Sequence, residues 1–367
     1  MKIGRYAYEK QFGEHPDELF SDLKRMILNG NYVLTGEVSA FLENFAMFTD
    51  ARYACGTNSG TDALILALKV LGIGPGDEVI TQANTFYATV AAIKFVGASP
   101  VLADADEETY LINTDQLEDK ITDKTKAVIP VHLYGKPSPM QNIMRLAAKY
   151  ELHVIEDCAQ AHGSRLNGQC VGTFGEIGCF SFHPSKNLAA AGDGGCMVTS
   201  DEDLYAKGLR MSALGQKGQN NHVVLGFNSK LDALQARILD WKLPFLEGWN
   251  QDRNRIVNSY LERLEGLPLR FQLRAGNELH TYHQFTVRTT RRDELLTYLG
   301  DKGIDAVVRY PTPIHLQPAF EKEGWQKGEF PVAEALAKEL LCLPLRPDLT
   351  TDEIDYVAEN VRQFFHA

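Results

Sequence analysis

A chain of 367 residues, 44% hydrophobic and 23% charged, has the composition of a globular protein with room for one large core and a smaller second unit. A formal net charge of −11 argues against nucleic acid or an anionic membrane as partner, because phosphate backbones are bound by an excess of Lys and Arg. Any anionic ligand must then be held by a few placed donors.

The start, Met1 to Glu14, is charged and lacks the apolar stretch of a signal peptide. The most apolar region, Phe86 to Ala103, is interrupted by Lys94, Gly97 and Pro100, so no membrane span is expected and the protein reads as cytoplasmic. The six cysteines, at 55, 158, 170, 179, 196 and 342, form no Cys-x-x-Cys pair and no zinc-finger spacing. They are expected to be reduced, mostly buried thiols, with no bound metal.

From about residue 54 onward, helix-like and strand-like segments alternate, the pattern of an α/β domain. Leu64, Ile65, Leu68 and Leu71 fall at helical spacing behind Thr57 to Ser59 as candidate caps, so a helix begins near Gly60 and stops at the glycines 72, 74 and 76. Strands are expected at Glu78 to Thr81, Pro100 to Ala103, Lys126 to Val131, His153 to Glu156, Cys179 to Phe182 and Cys196 to Thr199. Helices are expected at Tyr87 to Val96, Met140 to Tyr150, about Asp201 to Leu214, and Leu231 to Leu246. This order predicts a mostly parallel sheet covered by helices, with functional groups at the strand ends. Residues 1–249 would form the large domain. Residues 250–367, with segments at Tyr282 to Arg288, Glu294 to Lys302 and Asp352 to Phe365, would form a smaller mixed domain.

Three constellations carry candidate chemistry. In Cys55-Gly-Thr-Asn-Ser-Gly-Thr-Asp-Ala-Leu64 a small-residue loop opens onto a helix, where free N–H groups and the helix dipole suit a phosphate; a plain, well-capped helix fits the same residues. It lacks the Gly-Lys-Ser/Thr ending of a Walker loop, and the later glycines follow a helix instead of preceding one, so they make no dinucleotide fingerprint. In Val154-Ile-Glu-Asp-Cys-Ala-Gln-Ala-His-Gly163 an apolar strand delivers Asp157 to its C-terminal end, although an isolated Asp there is more often a cap. In Phe180-Ser-Phe-His-Pro-Ser-Lys-Asn-Leu188, Lys186 lies in an uncharged run between two buried-looking strands. Burial lowers a lysine's pKa and frees the amine as a nucleophile for Schiff-base chemistry.

In this order the segments resemble the DegT/StrS sugar aminotransferases, within the aspartate-aminotransferase-like fold of pyridoxal 5'-phosphate (PLP) enzymes. The likeness runs from Asn31-Tyr32-Val33-Leu34-Thr35-Gly36 to Cys342-Leu343-Pro344-Leu345. It implies PLP fold type I, with Lys186 as the residue that binds the cofactor covalently and shuttles a proton. It further implies Asp157 as partner of the pyridinium nitrogen and Gln160 beside the phenolic oxygen. Gly60, Thr61 and Ser181 would hold the phosphate, and Phe86 would stack on the ring, unless it is an ordinary core residue. Asn228 would reach the phosphate of a neighbouring subunit, which requires at least a homodimer. Tyr310 and His315 would lie near the substrate, with a bland surface or capping role equally open for His315.

The implied reaction moves an amino group from glutamate to a keto sugar linked to a nucleoside diphosphate. Gly192-Asp193-Gly194-Gly195 is similar to members acting at C3, whereas Glu in place of Asp193 is more usual for C4. Keto-cyclitol amination, a non-transaminating relative such as a sugar dehydratase, and a non-catalytic regulatory relative are the alternatives. Lys186 and Asp157 speak against the last two. Lys230 where Arg is usual, Ala189 where Gly is common, and Gln82-Ala83 in place of a Pro-containing pair depart from the family's pattern.

Overall fold

Two helices, α1 (Asp17–Asn29) and α2 (Gly36–Phe48), precede the first strand, β1 (Tyr53–Thr57). The structure is a computed structural model and describes residues 1–13 and 15–366; Glu14, the last residue of the charged start, lies outside the described residues, as does Ala367. After β1 come α3 (Gly60–Val70), β2 (Glu78–Gln82), α4 (Tyr87–Phe95), β3 (Ser99–Ala103), β4 (Thr125–Ile129), α5 (Met140–Tyr150) and β5 (His153–Asp157). A short hairpin, β6 (Arg165–Leu166) and β7 (Gln169–Cys170), leads to β8 (Ile177–Ser181), β9 (Gly195–Thr199) and α6 (Glu202–Ser212). The chain then runs through α7 (Ala233–Lys242), α8 (Leu246–Arg263), β10 (Arg270–Phe271), β11 (Glu278–Leu279), β12 (Phe285–Arg288) and α9 (Arg292–Asp301). It closes with α10 (Pro331–Glu339), β13 (Leu340–Leu343) and α11 (Thr351–His366).

Seven strands form the central sheet in the order β1-β9-β8-β5-β4-β2-β3. β3, β2, β4, β5 and β8 pair in parallel, and β9 alone runs against both its neighbours. The expected mostly parallel α/β sheet is therefore present. Side chains alternate along a strand, so neighbours in sequence enter opposite layers. Cys55, Val79, Ile155, Cys179 and Met197 pack with α3, α4 and α6. Ala54, Phe180, Cys196 and Val198 pack with α2 and α7, while Ile80, Val128 and Val154 pack with α5. Both faces are covered, which is why these strands read as continuous apolar runs.

The helix expected across Leu231 to Leu246 is two helices, α7 and α8, joined by a 3-10 turn at Leu243–Phe245. Pro244 supplies no N–H and cannot continue a helical ladder, which breaks the run. Through α8 the chain passes from one core to another: Leu246 belongs to the layer of Phe41 and Phe180, whereas Ile256, Val257 and Tyr260 pack with Phe285, Leu341 and Phe364. Ile3 joins that second core and bridges Ile304, so the two ends of the chain meet there.

Among the described residues no helix is long and apolar enough to cross a membrane. All six cysteines are free and buried, as their spacing predicted.

Candidate active site

Asp157 is the last residue of β5 and Ser181 the last of β8, so two neighbouring parallel strands present them at the same edge of the sheet. Open α/β sheets collect ligands at these carboxyl ends. Asp157 is buried; its Oδ2 accepts from the Thr89 hydroxyl at 2.9 Å and its Oδ1 from the Ala159 N–H at 3.1 Å. No Lys or Arg lies within ion-pair distance of it among the described residues. Desolvation raises its pKa above the usual carboxylate range, against the pull of those hydrogen bonds and of the Lys186 charge. A cation placed against it would reverse that shift.

Lys186 occupies the loop between β8 and β9, whose shape is fixed by main-chain bonds from Lys186 N–H to the His183 carbonyl (2.9 Å) and from Ala190 N–H to that of Phe182 (2.8 Å). The next residue anchors the loop from below: Asn187 donates to Asn250 Oδ1 on α8 and to the Thr281 carbonyl, each at 3.0 Å. Lys186 lines a cleft and is only partly buried, and its Nζ has no hydrogen-bond partner among the described residues. The surrounding protein still desolvates the ammonium and pushes its pKa down to about 8; Asp157 opposes the drop and the Arg309 guanidinium adds to it. At neutral pH a useful fraction of the amine is then unprotonated, as a nucleophilic lysine requires.

Ser59 caps α3 by accepting the Asp62 N–H at 3.1 Å. The N–H groups of Gly60 and Thr61 have no partner among the described residues and point out of the first turn with the positive end of the helix dipole. A Cβ on Gly60 would lie 2.6 Å from the Ser181 Cβ, so only glycine lets the helix start sit against the end of β8. Two free amides and a serine hydroxyl converge there, a cradle that fits a phosphate. Gly60→Ala is expected to cost about 1–3 kcal/mol by overpacking and to weaken cofactor retention. Dialysis followed by absorbance would read the second effect, and full retention would contradict it.

Phe86, the residue before α4, is 48% exposed, so it is not a core residue. Its ring lies 5.2 Å, centroid to centroid, from that of Tyr310. Gln160 ties this wall to the sheet: its Oε1 accepts the Tyr134 N–H at 2.8 Å and its Nε2 donates to the Tyr310 hydroxyl at 3.0 Å. Pairwise contacts link these residues: Phe86 lies against Tyr310, Tyr310 is bonded to Gln160, the Asp157 charge acts on Lys186, and Gly60 abuts Ser181, which ends the strand beside that of Asp157.

Two residues fall elsewhere. His315 is buried, bonded through Nε2 to Glu334 at 3.0 Å and packed on Phe330, an arrangement that fits the structural role left open for it. The turn Ile314–Leu316 folds it inward, behind Pro313. Asn228 is exposed, hydrogen-bonded to Lys230 and, through its carbonyl, to Asn58 at 3.3 Å. It touches none of this chain's phosphate-cradle residues.

Sequence reasoning passed over Thr89, Asn187, Asn250 and Arg309. Only Asn187 carried a signal, its place beside Lys186; the others come from segments distant in sequence. Glu156, beside Asp157, is structural: it bonds His132 and takes the N–H groups of Gly172, Phe174 and Gly175, which uses up its acceptors. His132, Glu156 and Cys158 lie close enough to share an ion, but this saturation explains their arrangement without one.

Three buried histidines surround the lysine loop. Burial pushes His162 down to about 3, and His280 and His283 well below the usual value. Their hydrogen bonds fix the neutral tautomers: His162 Nε2 donates to the Ser181 carbonyl (2.8 Å), and His280 Nδ1 accepts the Tyr282 N–H (3.0 Å). Because these pKa values are depressed, the unfolded chain binds protons that the folded chain refuses as the pH falls below 6.5. Stability is therefore fully present above that pH and is lost on acidification, by up to about 1.4 kcal/mol per pH unit for each histidine. Asp157, raised, offsets part of this. The thermal midpoint is expected to fall steadily from pH 6.5 to 4.5; a flat profile would contradict the assignment.

A lysine of lowered pKa near a buried carboxylate, an exposed aromatic ring and two free amides at a helix start are groups that fit pyridoxal phosphate. The chain belongs to the DegT/DnrJ/EryC1/StrS aminotransferase family, whose profile matches residues 15–362, and its cofactor is pyridoxal 5'-phosphate. It is 43% identical over 350 residues to a UDP-N-acetyl-3-dehydro-alpha-D-glucosamine 3-aminotransferase of Acidithiobacillus ferrooxidans, covering 95% of this chain and 94% of that one. It is 39% identical over 368 residues to a pleiotropic regulatory protein of Geobacillus stearothermophilus, covering 100% and 99%. Among solved structures, DesV of S. venezuelae in complex with a ketimine intermediate superposes with a TM-score of 0.97 at 38% identity, covering 100% of this chain and 99% of that one.

Proposed function

We propose that the protein transfers an amino group from glutamate to C3 of a keto sugar linked to a nucleoside diphosphate, UDP or dTDP, as a cytoplasmic homodimer. Residues 1–249 would hold the cofactor and residues 250–367 form the smaller domain. The observation that carries the reading is the Lys186 amine, depressed to about 8, under the charge of a buried Asp157 that has no ion-pair partner among the described residues. The name of the Acidithiobacillus relative and the Gly192-Asp193-Gly194-Gly195 stretch support C3.

When bound, PLP supplies an electron sink for the electrons of a broken C–H bond. Asp157 would keep the ring nitrogen protonated, and the low-dielectric setting would strengthen that pairing. The amides of Gly60 and Thr61 with the Ser181 hydroxyl would hold the phosphate, while Phe86 would cover the ring and Gln160 would meet the phenolic oxygen. Lys186 Nζ would hold the cofactor and, when free, would serve as the base that moves the proton, a role for which a pKa near working pH is best matched.

A second subunit is supported by the segment before Asn228, where Val223, Val224 and Leu225 are exposed, Leu225 by 90%. Apolar residues clustered this way favour a protein contact. A regulatory role, suggested by the name of the Geobacillus relative, gives no reason for a depressed lysine facing a buried carboxylate.

The test is incubation of the enzyme with glutamate and UDP-, dTDP- and GDP-linked 3-keto and 4-keto sugars, with products read by mass spectrometry and NMR. Amination of a 3-keto nucleotide sugar is expected. Turnover of a keto-cyclitol alone, or of no acceptor, would overturn the substrate class.

A further inference from the structure

Lys242, the last residue of α7, stands between the buried Leu239 and Leu243 and is itself 2% exposed. Its Nζ donates to the Ala189 carbonyl at 2.8 Å and to Gln11 Oε1 at 3.1 Å, and it lies 4.5 Å from the centre of the Phe12 ring. Two neutral oxygens and an aromatic face hold the ammonium, and desolvation lowers its pKa to about 8. Burying such a group is costly, and an apolar side chain of similar length would fill the site without that cost. What the lysine adds is direction, because it donates to chosen acceptors.

Those acceptors belong to two separate segments. Ala189 follows Lys186 in the loop between β8 and β9. The first half of that loop is held from α8, through Asn187. The second half hangs on α7: Gln235 Oε1 accepts the Ala191 N–H at 2.8 Å, and Lys242 takes the Ala189 carbonyl. Gln235 and Lys242 stand two turns apart, which places both on one face of the helix. Gln11 belongs to a 3-10 turn, Tyr8–Phe12, whose Phe12 carbonyl accepts the Trp241 Nε1–H at 3.1 Å. Trp241 and Lys242 thus seat the N-terminal turn and the lysine loop against the same helix end.

We propose that Lys242 is a positioning residue for the reaction: through the Ala189 carbonyl it fixes the turn that aims Lys186, and through Gln11 it makes the N-terminal turn part of that support. The inference rests on the reading of Lys186 as the residue that holds the cofactor. An amine that must reach one atom of a bound ring loses rate when its backbone drifts, since a displacement of about 1 Å can cost about 10²-fold. With Asn187 and Gln235 alone, the backbone between them has no side chain to hold its carbonyl and is free to pivot.

The test compares wild-type holoenzyme with Lys242→Met, which keeps nearly the same length and donates no hydrogen bond. In the half-reaction with glutamate, followed by absorbance, the rate at saturating glutamate is expected to fall about 10–100-fold, while the half-saturating concentration stays near that of wild type. The thermal midpoint should not fall, because the variant sheds a buried charge. Capture of PLP by the cofactor-free proteins gives a readout that needs no glutamate. Water entering beneath a slackened turn would raise the pKa of the Lys186 amine from about 8, so the capture rate should level off at a higher pH in Lys242→Met than in wild type. Gln11→Leu, in the half-buried N-terminal turn, should lower the rate and move the capture profile in the same directions to a smaller degree, and it supplies the readout should Lys242→Met fail to fold. Unchanged rate and capture profile in the variants, with or without a lower thermal midpoint, would overturn the proposal and leave Lys242 a packing residue. A wild type that captures PLP but does not react with glutamate would sink the donor assignment alone, and the capture profiles would still decide the role of Lys242.

Discussion

Lys186→Ala is expected to abolish the visible absorbance of the PLP-loaded protein and to lower turnover by at least about 10⁴-fold, the upper end of what a positioned base contributes, since it removes the covalent anchor as well. The fold should survive. The side chain makes no hydrogen bond among the described residues, and the loop is held by its main chain and by Asn187, so the thermal midpoint of the cofactor-free variant should stay near that of wild type. Lys186→Arg separates the roles, because it keeps a cation opposite Asp157 but cannot act as an amine nucleophile; it should be as inactive as the alanine variant. Capture of added PLP by wild type adds a pH signature. Only the neutral amine reacts, so the capture rate should rise about tenfold per pH unit below the amine's value of about 8 and level off above it. A visible band that persists in Lys186→Ala would overturn the assignment.

Asp157→Asn should bind PLP and retain the band, yet lose about 10²–10³-fold in kcat, the scale seen when one preorganised electrostatic partner is removed from a reacting group. The amide matches the carboxylate in shape and can still accept from Thr89 or Ala159, so packing at the end of β5 is spared. What disappears is the negative charge proposed to hold a proton on the ring nitrogen. Asp157→Ala is a poorer probe, because it strands the Thr89 hydroxyl and the Ala159 N–H at a cost of about 1–3 kcal/mol. Unchanged kcat in Asp157→Asn at full cofactor occupancy would show that the carboxylate does not serve the ring.

Much of this protein was determined by local sequence. Apolar runs flanked by glycine and capping residues fixed α3, α4, α5 and the parallel strands, because burial on both faces leaves no polar alternation. The helix start at Gly60 behind a cap at Ser59 was legible locally, whereas the roles expected of Gly60 and Lys186 came from the family resemblance. Pro244, although in plain view, was outweighed by the helical run around it, and the helix was drawn through.

Tertiary structure decided what depends on several segments at once. Thr89 reaches Asp157 from α4, and Asn250 steadies Asn187 from α8, 63 residues further along the chain. His315 turns inward to Glu334 although its loop looked suited to ligand contact. Desolvation of Lys186 and Lys242 has the same origin. A residue's pKa and its unmet hydrogen bonds depend on everything that displaces water around it, and that set is assembled only when distant segments pack.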